Sequence, residues 1–116
     1  IASSKELDIQ PVVFVFSEDT IKNKEKAVKS FYKAYNEIVD YMKSTDYAEY
    51  KDILVEYSLA SQNNIDKIKV PVDEFSHAQM PNEKDFDLVV KWMNHKGLIE
   101  KEYKLDEVSS DEFIAD

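Results

Sequence analysis

Cysteine is missing from this sequence altogether, and glycine occurs once, at Gly97, in 116 residues. Without cysteine there can be no disulfide, no thiolate nucleophile and no cysteine-ligated zinc. That absence does not fix the compartment. A single glycine rules out the G-x-S-x-G nucleophile elbow. It also rules out P-loops and dinucleotide fingerprints, which need at least two glycines each to bring backbone close to phosphate. ATP hydrolysis and nicotinamide chemistry are therefore not expected, and Ser58, Ser61, Ser109 and Ser110 have no nucleophile context. Histidine occurs only at His77 and His95, with no HxxxH-type spacing to bring two imidazoles onto one ion. No apolar run approaches the ~18 residues needed to span a bilayer. Positive charge is in deficit: Lys+Arg is 15 against Asp+Glu 24, a formal net charge of -9. Such a chain repels phosphate backbones and anionic lipid headgroups, so no nucleic-acid partner is expected.

What is present fits a water-soluble domain. Hydrophobic residues make up 43% and mean hydropathy is -0.52, enough for one domain with a modest core. The fold class expected is mostly α with one or two short strands (α+β). Residues 1–10 read as a flexible polar segment, and 11–116 as a single helical domain. The chain starts "IASSKELDIQ", without Met or a signal-peptide pattern, which reads as a cut, either a processed chain or an expressed fragment, from which a targeting signal could have been lost. "PVVFVF", Pro11–Phe16, has the pattern of a strand buried on both faces. A second, shorter strand is expected around "EFSHAQM", Glu74–Met80, which would put His77 at a sheet edge.

From Asn23 the apolar period becomes helical. Ala27, Val28, Phe31, Ala34, Tyr35, Ile38, Val39 and Met42 share one face, with Asn23 as N-cap and "STD" as the stop. A second helix follows, with Asp46 as N-cap, Glu49 in a capping-box position, and Tyr47, Tyr50, Leu54 and Tyr57 on its face. A weaker turn, "IDKIK", ends at Pro71. A third helix starts at Asn82 after Pro81, with Phe86, Val89, Val90 and Met93 as its stripe and Trp92 packing beside them. Lys91, His95 and Lys96 suit the negative end of its dipole. Gly97 stops it as the left-handed C′ residue, and Leu98 is expected to fold back onto it. "LDEV" and "SSDEFI" read as two short helical turns.

Asp106, Glu107, Asp111 and Glu112 read as caps and a solvated face rather than an acid/base pair, which needs a dry cleft. Tyr32, Tyr35, Tyr41, Tyr47, Tyr50 and Tyr57 lie along two consecutive helices without interleaved arginine. They read as packing residues with wet hydroxyls, not as a base-stacking platform.

From Pro11 onward the order of elements resembles the C-terminal part of the solute-binding proteins of ABC importers. The group in question serves taurine, alkanesulfonates, nitrate and the pyrimidine precursor of thiamine. The resemblance lies in the apolar strand "PVVFVF", the helix "KNKEKAVKSFYKAYNEIVDYM" with its Ala34–Tyr35 pair, the W-x-x-x-x-G-L-I pattern of "WMNHKGLI", and the ending "DEVSSDEF". That ending departs modestly from the family's Asp, hydrophobic, hydrophobic, Asp. Pyrimidine-synthesising enzymes share the fold, so a fragment of such an enzyme is a further alternative, although nothing here matches their metal or cofactor motifs.

The resemblance implies a type 2 periplasmic-binding-protein architecture of two α/β lobes, of which this chain would be the returning part of the first lobe. It further implies an extracytoplasmic location, periplasmic or as a membrane-anchored lipoprotein. The role would be non-catalytic, without a cofactor or metal, with an ABC importer permease as partner and a small-molecule ligand held by the whole protein. Ser17 and Glu18, just past the expected strand, are where a ligand contact could fall. A different expectation follows from the apolar strand alone: a self-standing helical module that forms a homodimer by pairing Pro11–Phe16 across a two-fold axis.

Overall fold

Apolar residues recur at helical spacing over most of the chain, and helices are what form. A computed structural model describes residues 13–114; the expected flexible segment 1–10 lies outside them. In chain order come α1 (Glu18–Asn23), α2 (Glu25–Ser44), α3 (Tyr47–Glu56), 3-10 turns at Ile65–Lys67 and Val72–Glu74, α4 (Glu83–His95) and α5 (Leu105–Val108). The described chain divides into two compact units, one of residues 13–29 with 79–114, the other Ser30–Ala78.

Neither expected strand is found. Over the described part of Pro11–Phe16, residues 13–16 run as irregular backbone into α1, while Pro11 and Val12 lie outside the described residues. A strand exists only through its ladder, and there is no β-strand among the described residues. The segment is not buried on both faces either: Val13, Phe14 and Val15 are 52%, 48% and 84% exposed. The second stretch, Glu74–Met80, is tied to α2 instead. The Ala78 amide donates to Asn36 Oδ1 at 2.8 Å, and His77 Nε2 donates to Asp40 Oδ1 at 2.7 Å. Side chains thus satisfy polar groups that a neighbouring strand would otherwise take, and His77 sits on a tethered loop rather than a sheet edge. The described chain is therefore mostly helical, without the β component expected.

The helix faces are rotated slightly from their expected positions. On α2 the covered positions are Val28 and Val39, both buried, with Tyr32, Tyr35, Asn36 and Met42 half-buried. Phe31 and Ile38, expected inside, are 38% and 56% exposed. On α3 Tyr50 is buried and Leu54 half-buried, while Tyr57 is 68% exposed. On α4 Val90 is buried and Phe86 and Met93 half-buried, but Leu88, Val89 and Trp92 all face solvent. Trp92, expected as a packing residue, is 55% exposed. The reason is angular: at about 100° per residue, Trp92 lies with Leu88 and Val89, rotated away from Val90.

Capping explains where the helices begin. Asn23 is not the N-cap of a long helix; it is the last residue of α1, and its Nδ2 donates to Asp19 Oδ1 at 2.8 Å. The chain bends at Lys24, whose carbonyl accepts from the Ala27 and Val28 amides and so starts α2. Asp46 does cap α3, accepting from the Ala48 amide at 2.9 Å, and Asn82 caps α4, accepting from Lys84 at 2.9 Å and Asp85 at 3.4 Å.

Two helices end by the same device. After α4, Gly97 takes φ +68, its amide donates to Asn94 O, and the Leu98 amide donates to Met93 O. After α3, Ser58 takes φ 58, its amide donates to Val55 O, and the Leu59 amide donates to Leu54 O. Both are Schellman motifs, but only one has the residue that suits the left-handed region. Leu98 does not fold back as expected; it is 61% exposed.

We expect Ser58→Gly to raise stability by about 0.5–1 kcal/mol, by removing left-handed strain at some cost in unfolded-chain entropy. Gly97→Ala should lower it by about 1 kcal/mol through φ alone, since no atom lies within 4 Å of the added Cβ. Urea denaturation midpoints of both variants check this; equal midpoints would contradict it.

Candidate functional site

Ser17 and Glu18, the residues expected near a ligand, are engaged locally. Ser17 caps α1: its Oγ accepts from the Thr20 amide at 3.2 Å and shares a hydrogen bond of 2.9 Å with Thr20 Oγ1. Glu18 pairs with Lys22 at 2.5 Å in an exposed i,i+4 bridge. Such bridges contribute little in water. The structure does not gather these two side chains around a cleft.

Among the described residues, a groove in the Ser30–Ala78 unit has the form of a site, and its construction starts at α3. Capped by Asp46, α3 turns Tyr47 so that its hydroxyl donates to the Ile65 carbonyl at 2.9 Å. Ile65 is 1% exposed, the most deeply buried side chain in the described chain, and its burial contributes about 1.5–3 kcal/mol. Beside it, Lys51 Nζ pairs with Asp66 at 2.5 Å. The Tyr50 ring meets Tyr47 edge-on at 5.4 Å and Tyr41 at 6.2 Å; aromatic pairs in this range are attractive beyond their area.

After the Ile65–Lys67 turn the backbone extends at Ile68 (φ -74, ψ 132), then folds at Pro71 (φ -78, ψ 63), where the Val72 amide donates to Val70 O at 2.9 Å. That is an inverse γ-turn. Ile68, Val70 and Val72 are half-buried, while Lys69 and Pro71 are exposed. With Met42 and Thr45 at the end of α2, and Tyr47 and Tyr50 of α3, they bound an open groove of about 400 Å³. Lys43 and Lys69 complete its lining.

Part of this is legible in the sequence. Tyr47 and Tyr50 read as packing residues, which they are, but the returning wall was missed. The signal was present in "IKVPV", where Ile68, Val70 and Val72 alternate with period two.

The other chemically capable residues are dispersed. His77 is held by Asp40 as described, and His95 is the last residue of α4. Glu107 Oε2 accepts from the Lys104 amide at 2.8 Å, starting α5, and Ser109 Oγ donates to Leu105 O at 2.6 Å. Phe113, in the ending, lies 5.9 Å from Lys29 Nζ. Among the described residues no group of three or more His, Cys, Asp or Glu could hold a metal ion, and no helix is long and apolar enough to cross a membrane.

Comparison with models of protein families, with curated proteins and with solved structures returns no match.

Burial pushes the Tyr50 phenol above its ordinary value of 10.0, helped by Tyr47, Asp46 and Tyr41 nearby; burial does the same for Tyr32. In the unfolded chain both phenols ionise near 10, so above that pH the unfolded state binds fewer protons than the folded one. The stability these two protonated phenols contribute is thus complete below pH 10 and lost as pH rises through their folded values. Urea midpoints should fall from about pH 10 upward, less steeply in Tyr50→Phe. A flat profile with a normally titrating Tyr50 would contradict the burial described.

Proposed function

We propose that this chain is the C-terminal portion of an extracytoplasmic solute-binding protein that delivers a small molecule to an ABC importer, and that it performs no catalysis. The observation that supports this best is Val13–Phe16. Val13–Phe16 are four β-branched or aromatic residues in a row, and Val13, Phe14 and Val15 are roughly half exposed or more. In a sheet of the first lobe of a type 2 periplasmic-binding fold, such a segment would be covered on both faces. The helical order that follows supports the same reading. A long helix, a shorter capped one, and a helix that carries Trp92 and stops at Gly97 follow the element order on which the family resemblance rests.

Under this reading most ligand contacts belong to segments upstream of the chain, and Ser17 and Glu18 stand only at the rim. The group's ligands, taurine, alkanesulfonates, nitrate or a pyrimidine precursor, define the panel to test. The longer polypeptide should gain about 2.7 kcal/mol of stability at a ligand concentration 100 times Kd, read as a rise in Tm, while the 116-residue chain alone gains none. An upstream coding sequence without βαβ units, or an initiator Met close to Ile1, would overturn the reading.

The exposed Val13–Val15 and the Leu88, Val89 and Trp92 face of α4 also favour a second reading, a self-standing module that forms a homodimer. Its expected contact, Pro11–Phe16, begins with two residues outside those described. Light-scattering mass at rising concentration separates the two: a strict monomer removes the dimer reading.

A further inference from the structure

The groove between the end of α2, the start of α3 and Ile68–Val72 has a use that the solute-binding reading does not require. Its lining is apolar at Met42, Ile68, Val70 and Val72, aromatic at Tyr47 and Tyr50, and cationic at Lys43 and Lys69. No acidic side chain lines it, in a chain whose formal net charge is -9. Neither lysine has an ion-pair partner among the described residues, whereas Lys22, Lys29 and Lys51 are all paired. The only charged residues in the lining are thus two cations without an ion-pair partner.

The second observation is Tyr50. The residue is 5% exposed, yet its hydroxyl has no hydrogen-bond partner among the described residues and is not sealed from solvent. Its neighbour Tyr47 shows what a satisfied phenol looks like here, with its bond to Ile65 O. A nearly buried phenol left without a partner at the lining of a groove is a donor placed for something that enters it. The volume, about 400 Å³, sits toward the lower end of the range for small-molecule sites, about 300–1,000 Å³.

We infer that this groove binds a small amphipathic carboxylate, with its hydrocarbon or aryl body against Met42, Ile68, Val70 and Val72 and its carboxylate toward the Tyr50 hydroxyl and the ammonium groups of Lys43 and Lys69. A phosphate dianion fits less well. Phosphate sites draw on free amides at a helix start, and here Ala48 N and Glu49 N are already bonded to Asp46. The carboxylate of Asp46, next in sequence to Thr45, accepts from the Ala48 amide in that cap. Asp73 flanks Val72 without lining the groove. A phenol keeps its proton at neutral pH, so Tyr50 is a donor there.

The test is a titration of the 116-residue chain followed by backbone amide NMR shifts, with phenylbutyrate as the probe and its uncharged analogue phenylbutanol as control. Saturable shifts should centre on Thr45, Tyr50, Ile68, Lys69 and Val70, with phenylbutyrate binding about tenfold more tightly than phenylbutanol. The double variant Lys43→Gln/Lys69→Gln should lose most of that preference while binding the alcohol unchanged. Tyr50→Phe, which keeps the ring packing, should weaken phenylbutyrate about threefold to tenfold. Equal affinity for acid and alcohol, an unaffected double variant, or shifts centred on Leu88, Val89 and Trp92 would each overturn the inference. The outcome does not depend on the solute-binding reading, which is tested on the longer polypeptide.

Discussion

The hydrogen bond from Tyr47 to the Ile65 carbonyl is the constraint on which the Ser30–Ala78 unit depends. It joins the first turn of α3 to a 3-10 turn 18 residues later. It thereby fixes the side chain of Ile65, the most buried in the described chain. The same carbonyl also accepts from the Ile68 amide at 3.4 Å, so the tyrosine adds a second and shorter bond that ties the turn to α3. With Ile65 held, Lys51 and Asp66 come together beside it, and the chain leaving the turn is aimed along the end of α2. The groove is the consequence. Its far wall is extended because Pro71 closes a γ-turn, and its near wall is rigid because three tyrosine rings lean on one another.

How much of this was legible in the sequence depends on the range of the interaction. Asp46, Asn82 and Gly97 act where they were expected to act, because a cap or a left-handed stop is decided within a few residues. Asn23 was misplaced for an instructive reason. Ser17 offered an earlier cap, so the chain formed a separate six-residue helix first. The covered faces were less legible than the helices themselves. Phe31 and Tyr32 are adjacent, as are Val89 and Val90, and periodicity alone accepts either member of such a pair. Which one turns inward is set by what packs against the helix, and that comes from elsewhere in the chain.

The strands failed for a related reason. Apolar, β-branched composition makes a stretch suitable for a sheet, but pairing makes it a strand. At Glu74–Met80 the pairing was taken by Asn36 and Asp40, two polar residues of α2 that carried no strand signal. Ser58 is the opposite case. Nothing in its identity suggested a left-handed residue, yet the end of α3 imposes one, because the carbonyls of Leu54 and Val55 need donors. Backbone satisfaction outweighs the preference of one side chain by an amount that the strain of a single residue, about 1–2 kcal/mol, can supply.

These constraints also explain how little is buried. Among the described residues Val28, Val39, Tyr50, Ile65 and Val90 are buried, while Val15, Ile38, Leu59, Leu88, Trp92 and Leu98 stand more than half exposed. Scattered exposed leucines are ordinary, but contiguous ones on a single helix face are not. The Leu88, Val89 and Trp92 face of α4 is of the second kind, and so is the run Val13–Val15. Both belong to the unit that gathers the two ends of the described chain, whereas the groove belongs to the other unit. The two units therefore pose different problems. One holds a polar donor and two cations that await a small anion. The other presents apolar surface at Val13–Val15 and on the Leu88, Val89 and Trp92 face of α4, the surface on which the solute-binding and homodimer readings differ.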